Sequence, residues 1–147
     1  MIGIIDYGLG NIKAFCNVYK DMGVDLKIID DQKKFSKDIK KIILPGVGSF
    51  DEAIKKLKKK NFFNEIKNFC SNQENKILGV CIGMQILGKN SEEGEEQGLN
   101  LINGNILKFK KIRSPHMGWN NIEVVKKDLI LKDISNDEYF YFLHSYY

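Results

Sequence analysis

Short apolar runs alternate with amphipathic stretches along the first 88 residues of the chain. Four runs have the length and the β-branched content typical of strands, namely residues 2–6, 25–30, 41–44 and 76–80. The amphipathic stretches have apolar residues at helical spacing, and they are residues 11–22, 50–59, 62–70 and a segment from about residue 82. This alternation predicts an α/β fold in which helices cover both faces of a parallel sheet.

The pattern changes after Gly88, where the polar loop "KNSEEGEEQG" is followed by β-like segments at residues 101–109, 120–125 and 139–147. We interpret these segments as antiparallel additions to the sheet, with Asn103 and Gly104 as a hairpin turn. No repeat, linker or low-complexity segment interrupts the 147 residues. A single domain over residues 1–147 is therefore predicted.

The formal net charge of +4 depends on lysine runs such as "KKLKKK" at residues 55–60. This run lies in an amphipathic stretch and has no interleaved aromatic residues, so it predicts a solvated helix face rather than a nucleic-acid surface. No apolar stretch has the length of a membrane span, and the first ten residues lack the pattern of a secretory signal. A cytoplasmic protein without nucleic-acid or membrane partners is expected.

The three cysteines, Cys16, Cys70 and Cys81, have no C-x-x-C spacing, and the two histidines, His116 and His144, are scattered. This pattern favours reduced thiols and predicts neither a metal site nor a cofactor. Cys16 and Cys70 fall within amphipathic stretches, so we expect them in the core.

Three glycine-bearing turns follow predicted strands: "DYGLGN" at 6–11, "PGVGSF" at 45–50 and "GVCIGMQ" at 79–85. In an open parallel sheet, ligands bind at the carboxyl ends of the strands, which is where these turns belong. The three turns are therefore predicted to form the functional site.

The third turn has the form G-x-C-x-G, which is the thiol counterpart of a nucleophile elbow. A sharp strand-to-helix turn exposes the central side chain, and unpaired N–H groups at a helix N-terminus favour a thiolate. Cys81 is therefore a candidate nucleophile. The alternative is a buried cysteine beside glycines that only allow close packing.

The second turn can supply an oxyanion site, because the backbone N–H groups of Val47 and Gly48 could turn inward and act with that of Ile82. The alternative is an ordinary strand-to-helix turn. The first turn opens like a dinucleotide-binding fingerprint, with Asp30 as the ribose-binding acid, but Lys13 stands where the third glycine belongs.

Seven segments occur in the order and spacing of one family: "IIDYGLGNI", "LPGVGSF", "GVCIGMQIL", "SEEG", "GLNLINGNILKF", "PHMGWNNI" and "FLHSYY". Over its whole length the chain resembles the class I glutamine amidotransferases. The resemblance implies a three-layer, flavodoxin-like α/β fold with a mainly parallel central sheet and additional antiparallel strands. The "PHMGWN" and "HSYY" segments are similar to those of family members that form a heterodimer with a (β/α)₈ cyclase.

The resemblance implies that Cys81 forms a γ-glutamyl thioester with glutamine, and that the released ammonia passes to a cyclase that makes imidazole glycerol phosphate in histidine biosynthesis. The residues it implies for substrate binding are Gly46, Gln85, Glu93, Ser145 and Tyr146. The residues it implies for the partner interface are Asn11, Trp119 and Tyr141. Without the resemblance, Gln85 and Glu93 could be solvated, Trp119 could be packed, and Tyr141 could be a strand residue without a contact role.

In this family a late histidine and its glutamate partner supply the general base, and the 147 residues contain no such segment. The resemblance assigns this role to neither His116 nor His144, so we expect the domain to lack its C-terminal part. Two alternatives stay open. One is a paralogue that supplies ammonia for surface-sugar modification, and the other is a non-catalytic subunit that only docks the cyclase.

Overall fold

The computed structural model describes residues 1–110, 114–126 and 128–147. It divides into two compact units, Met1–Leu107 and Lys108–Tyr147. None of the helices in these described ranges has the length and apolar character needed to cross a membrane.

The first unit is built from alternating strands and helices. Its strands are β1 (Ile2–Ile5), β2 (Leu26–Ile29), β3 (Lys41–Leu44) and β4 (Lys76–Gly79). Its helices are α1 (Ile12–Asp21), α2 (Phe50–Lys59), α3 (Phe62–Ser71) and the one-turn α4 (Ile82–Gln85). The predicted elements up to residue 80 are confirmed within two residues at each end.

The four strands form one parallel sheet in the order β2-β1-β3-β4. Neighbouring residues of a strand point to opposite faces, and on the inner strand β1 both Ile4 and Ile5 are completely buried. Helices therefore cover both faces of the inner strands, as predicted. On the outer strands, Ile28 and Leu78 remain partly exposed.

Helix α2 begins where the sequence predicts it because Ser49 caps it, with the Ser49 hydroxyl accepting from the N–H of Glu52. Its apolar residues Ala53, Ile54 and Leu57 are fully buried. Most of the lysines of residues 55–60 are exposed, so the predicted solvated face is confirmed.

The second unit contains an antiparallel pair, β5 (His116–Asn121) and β6 (Tyr139–His144). The prediction of antiparallel strands is confirmed, but the bounds of β5 were wrong, since residues 122–125 lie outside it. The pair forms a two-stranded sheet of its own and is not an addition to the parallel sheet.

The β-like segment at 101–109 is not a strand, and Asn103–Gly104 is not a hairpin turn. The backbone of this segment instead bonds to the preceding loop, where Leu101 N–H donates to the Leu87 carbonyl and Ile106 N–H donates to that of Asn90. Because these hydrogen bonds are isolated, no ladder forms, and within the described ranges this stretch takes part only in single bridges, at Ile106 and Lys108.

Candidate active site

Cys81 lies at a strained turn between β4 and α4. Its backbone has φ 56° and ψ −124°, a region that residues other than glycine rarely adopt. Such a conformation costs on the order of 1–3 kcal/mol and is maintained only where the surrounding structure imposes it. The Cys81 side chain is exposed. This geometry is that of the predicted nucleophile elbow.

The glycines two residues before and after Cys81 allow the elbow to form. A β-carbon on Gly79 would lie 2.5 Å from Cα of Met84, and one on Gly83 would overlap the carbonyl oxygen of Leu44. The elbow therefore packs backbone against backbone at the end of β3. The helix that follows starts at Ile82, as predicted, and is a single turn, so any helix dipole at the thiol is small.

The turn after β3 lies directly against this elbow. A β-carbon on Gly46 would be 2.7 Å from the backbone nitrogen of Gly83. Gly48 has φ +103°, which again favours glycine. Within the described residues, no acceptor is bonded to the backbone N–H of Val47, Gly48 or Ile82. These three N–H groups are free, and their role as oxyanion donors stays a prediction.

The turn after β1 completes the group of three. A β-carbon on Gly10 would lie 2.9 Å from Cβ of Pro45. The hydroxyl of Tyr7, which is 1% exposed, donates to the Pro45 carbonyl oxygen at 2.9 Å. The three glycine turns therefore meet at Pro45–Gly46. This packing explains Gly10 without a dinucleotide, and Gly8, which has no close neighbour among the described residues, is explained by its φ of +91°.

Tyr7 was not singled out from the sequence, although its position at the end of β1 in a glycine turn was a signal. Burial raises the pKa of its hydroxyl far above the usual value, and the charges of Cys81 and Glu52 raise it further. The Tyr7 hydroxyl is therefore a permanent donor at physiological pH.

Gln85 is on α4, one turn after Cys81, and it is 5% exposed. Its side-chain oxygen Oε1 is buried and has no hydrogen-bond partner in the described parts of the chain. An unpaired buried polar atom is unfavourable, so Gln85 is not the solvated helix residue that the alternative reading allowed. This oxygen is available to a polar ligand.

Glu93 is half-buried in the acidic loop that follows α4. Its Oε2 accepts the N–H of Phe50, the first residue of α2, at 2.8 Å. The reading of Glu93 as a freely solvated acid is therefore wrong. The carboxylate connects the loop to the turn that contains the free N–H groups.

Asp51 reinforces this connection and was also missed in the sequence. Its two carboxylate oxygens accept the backbone N–H groups of Glu96 and Glu95, at 3.0 and 3.2 Å. The Glu96 N–H, followed by that of Glu95, lowers the pKa of Asp51. Two carboxylates thus join the start of α2 to the acidic loop. Glu93 of the loop accepts an N–H of the helix, and Asp51 of the helix accepts two N–H groups of the loop.

The two remaining cysteines, Cys16 and Cys70, are half-buried rather than in the core. Helix α1, which contains Cys16, has no fully buried residue. Burial raises the pKa of Cys70. Cys81 is the exposed thiol of the three.

Asn11, Trp119 and Tyr141 were predicted to face a protein partner. Asn11 caps α1, because its side-chain oxygen accepts the N–H of Ala14 at 3.1 Å. In the second unit, Trp119 and Tyr141 are directly opposite each other across the hairpin, with ring centroids 5.6 Å apart. Trp119 is 66% exposed, so it is neither core nor buried edge packing. A contact role for these three residues stays a prediction.

The exposed large hydrophobic residues of β5 and β6 share one face, which we call the hairpin face. It consists of Met117, Trp119, Tyr139, Tyr141 and Leu143. Each of these side chains is more than half exposed. Such an apolar, aromatic surface is typical of a protein-binding site.

Both histidines are bonded to one another on the opposite face of this hairpin. His116 Nδ1 lies 2.9 Å from His144 Nε2, and His144 Nδ1 lies 2.8 Å from the carbonyl oxygen of Tyr146. A carbonyl can only accept, so His144 donates through Nδ1 and, when neutral, accepts through Nε2. Ser145 and Tyr146, predicted to contact substrate, follow β6 directly, and that role is still a prediction.

Comparisons with known proteins agree with this geometry. The family model described as "Glutamine amidotransferase class-I" matches residues 3–147. A solved structure described as a crystal structure of glutamine amidotransferase superposes with a TM-score of 0.68 at 17% identity, covering 82% of this chain and 62% of that one. The fold is therefore that of the predicted class, and the chain belongs to the class I glutamine amidotransferase family.

Three curated relatives within this family share one more specific name. The chain is 44% identical to imidazole glycerol phosphate synthase subunit HisH of Leptospira borgpetersenii, with all of this chain and 74% of the relative aligned. It is 43% identical to the subunit of the same name from Caldanaerobacter subterraneus, with 72% of that relative aligned. A third, from Leptospira interrogans, is 41% identical with 74% aligned.

Proposed function

We propose that this chain is a glutaminase subunit of the HisH type, which hydrolyses glutamine and delivers ammonia to a cyclase that makes imidazole glycerol phosphate. The observation that carries the proposal is the elbow at Cys81, an exposed cysteine whose backbone has φ 56°. The turn with the free N–H groups of Val47 and Gly48 packs against this elbow through Gly46. The names of the curated relatives favour histidine biosynthesis over a surface-sugar paralogue.

In the proposed reaction, the Cys81 thiolate attacks the side-chain carbonyl of glutamine. The negative charge that develops on the carbonyl oxygen is stabilised by the free backbone N–H groups, which need no rearrangement because they are already unpaired. The C–N bond then breaks, the nitrogen leaves as ammonia after gaining a proton, and a γ-glutamyl thioester remains on Cys81. Water hydrolyses this thioester to glutamate and the free thiol.

The buried oxygen of Gln85 supports a binding role. It can accept an N–H of the substrate, which would satisfy a polar atom that has no partner among the described residues. Glu93 has one oxygen engaged with Phe50, and we propose that its carboxylate binds the α-ammonium group of glutamine. The family resemblance also implies substrate binding for Gly46, Ser145 and Tyr146, and these roles are part of the proposal.

Proton transfer requires a further group. The chain has two histidines, and their ring nitrogens are engaged with one another, with Asn120 and with the Tyr146 carbonyl. We therefore propose that the general base for complete turnover is a histidine outside these 147 residues, as in the family. The proposed base acts on the attacking water and on the departing ammonia.

The hairpin face supports a protein partner. We propose that it docks a HisF-like (β/α)₈ cyclase as a heterodimer, with Trp119 and Tyr141 as aromatic anchors and Asn11 as a further contact. We propose a cytoplasmic location, as expected from the sequence. No cofactor is needed for the reaction as written.

Thermal unfolding with and without L-glutamine tests the substrate site. We expect glutamine to raise the melting temperature of the wild type, because a ligand that binds only the folded state stabilises it. Gln85→Met should melt higher than the wild type without ligand, since it removes an unpaired buried oxygen, and should lose the response to glutamine.

Gln97→Met is the matched control, because Gln97 is exposed in the acidic loop. It should respond to glutamine as the wild type does. A glutamine response that survives in Gln85→Met would contradict the assignment of Gln85. No response in the wild type or in Gln97→Met would favour a subunit that only docks the cyclase, an alternative supported by the paired histidines.

A further inference from the structure

Tyr7 has a ring that fills the core and a hydroxyl that reaches the candidate active site. It is among the largest fully buried side chains of the chain. Its hydroxyl is a buried polar group whose hydrogen-bond partner, among the residues that the structure describes, is the carbonyl oxygen of Pro45, at 2.9 Å. The two residues come from different turns, 38 positions apart in sequence.

The hydrogen bond from Tyr7 constrains the Pro45–Gly46 peptide, which precedes the free N–H groups of Val47 and Gly48. A β-carbon on Gly46 would lie 2.7 Å from the Tyr7 hydroxyl and 2.7 Å from the backbone nitrogen of Gly83. The Pro45–Gly46 peptide is therefore confined between Tyr7 and the start of α4. A rotation of this peptide would break the Tyr7 hydrogen bond and turn the Gly46 N–H, which belongs to the same peptide. It would also shift the backbone from which Val47 and Gly48 follow.

We propose that Tyr7 is a positioning residue for the oxyanion site, because its hydroxyl fixes the carbonyl of Pro45 and with it the direction of the N–H groups that follow. This inference rests on the proposed function. Tyr7 does not touch the reacting atoms. It acts through a donor that the buried ring holds in one orientation.

Two features separate this role from ordinary packing. The ring alone would fill the same space as phenylalanine, so packing does not require the hydroxyl. Burial and the charges of Cys81 and Glu52 raise the pKa of Tyr7, so the hydroxyl stays protonated and donates throughout the working pH range.

The test compares two reactions of Cys81 in the full chain, with Tyr7→Phe as the variant. The γ-methyl ester of L-glutamate acylates the thiol through a tetrahedral intermediate, forming the S–C bond and releasing methanol. Iodoacetamide alkylates the same thiol by displacement of iodide, without any oxyanion at a carbonyl. Both products are followed by the mass of the intact protein, with Cys81→Ala to subtract reaction at Cys16 and Cys70.

Tyr7→Phe should acylate about tenfold or more slowly, since misdirected oxyanion donors raise the barrier of that step, while its alkylation by iodoacetamide stays within about twofold. Tyr19→Phe, which removes a half-buried hydroxyl from α1, should change neither rate. Replacing Tyr7 with 4-aminophenylalanine restores a donor and should restore acylation, also if Tyr7→Phe does not fold.

An unchanged acylation rate in a folded Tyr7→Phe would overturn the inference, and so would an equal loss of both reactions. Failure of the 4-aminophenylalanine variant to acylate would overturn it as well. If the wild type itself forms no acyl-enzyme while iodoacetamide still reacts with Cys81, the proposed function is overturned, and the inference that rests on it falls too.

Discussion

The backbone N–H of Phe50 donates to a carboxylate oxygen of Glu93 at 2.8 Å, 43 residues away in sequence. Phe50 is the first residue of α2 and is completely buried. The first N–H groups of a helix have no partner within the helix, so an outside acceptor is needed here. The same carboxylate is the proposed ligand of the substrate ammonium, so one residue connects helix stability to substrate binding.

Glu93→Ala should therefore lower both properties. We expect the free energy of unfolding to fall by about 1–3 kcal/mol, because a buried N–H is left without its acceptor. The glutamine-induced rise in melting temperature should also disappear. Urea unfolding at neutral pH and thermal unfolding with glutamine measure the two effects. Glu95→Ala, at an exposed side chain of the same loop, should change neither, and equal behaviour of the two variants would contradict this account.

Because Cys81 has a positive φ, we expect its substitution by glycine not to destabilise the fold. Cys81→Gly should unfold at the same or a higher urea concentration than the wild type, since glycine removes strain of about 1–3 kcal/mol at this backbone conformation. Cys16→Gly, in the interior of α1, should instead destabilise the chain by about 1 kcal/mol. Destabilisation of similar size in both variants would show that the elbow is not strained.

Trp119 should contribute disproportionately to binding of the cyclase partner. Trp119→Ala is expected to weaken association by about 2 kcal/mol or more, as aromatic anchors at interfaces often do, without altering the melting temperature of the free chain. Calorimetric titration with the partner measures this. Val125→Ala is the control, because Val125 is an exposed apolar residue outside the hairpin face. Equal affinities would assign Trp119 to the free surface.

The two histidines predict the turnover of the chain alone. The ring nitrogens of both histidines are already hydrogen-bonded within the chain, so neither is available as the general base. Steady-state ammonia release by the 147 residues should therefore be low. We expect it to be about 10⁴-fold or more below that of a preparation that includes a polypeptide carrying the family's histidine and glutamate. A coupled ammonia assay makes the comparison. Substantial release by the chain alone, abolished by Cys81→Ala, would show that the base has been misassigned, and His144→Gln would be the first variant to examine.

The parallel sheet could be predicted because its signals are local. Strand β3 and helix α2 have the predicted bounds, since the apolar run, Ser49 and the spacing of Ala53, Ile54 and Leu57 all point to the same boundaries. The segment at 101–109 failed for the opposite reason. Its apolar alternation is that of a strand, but the N–H groups of Leu101 and Ile106 bond to residues before the segment, and that of Phe109 bonds to Ser145. No local pattern indicates such partners.

The candidate site divides in the same way. The glycines around Cys81 predicted the elbow, because a close backbone approach leaves a mark in the sequence at fixed spacing. The position of Tyr7 in a glycine turn could have marked it as a candidate, but the contacts of Tyr7 and Asp51 could not be predicted, because they span 38 and about 45 residues. The unpaired oxygen of Gln85 is equally invisible in sequence, since it depends on what surrounds the side chain and not on what precedes it.

The central claim is that Cys81 is the nucleophile of a glutamine site, and peptide mapping after reaction with the diazo-ketone analogue of L-glutamine tests it most directly. We predict a single adduct on Cys81, slowed by excess L-glutamine but not by D-glutamine, with Cys16 and Cys70 unmodified. Modification spread over the three cysteines, or an adduct on Cys81 that L-glutamine does not slow, would contradict it.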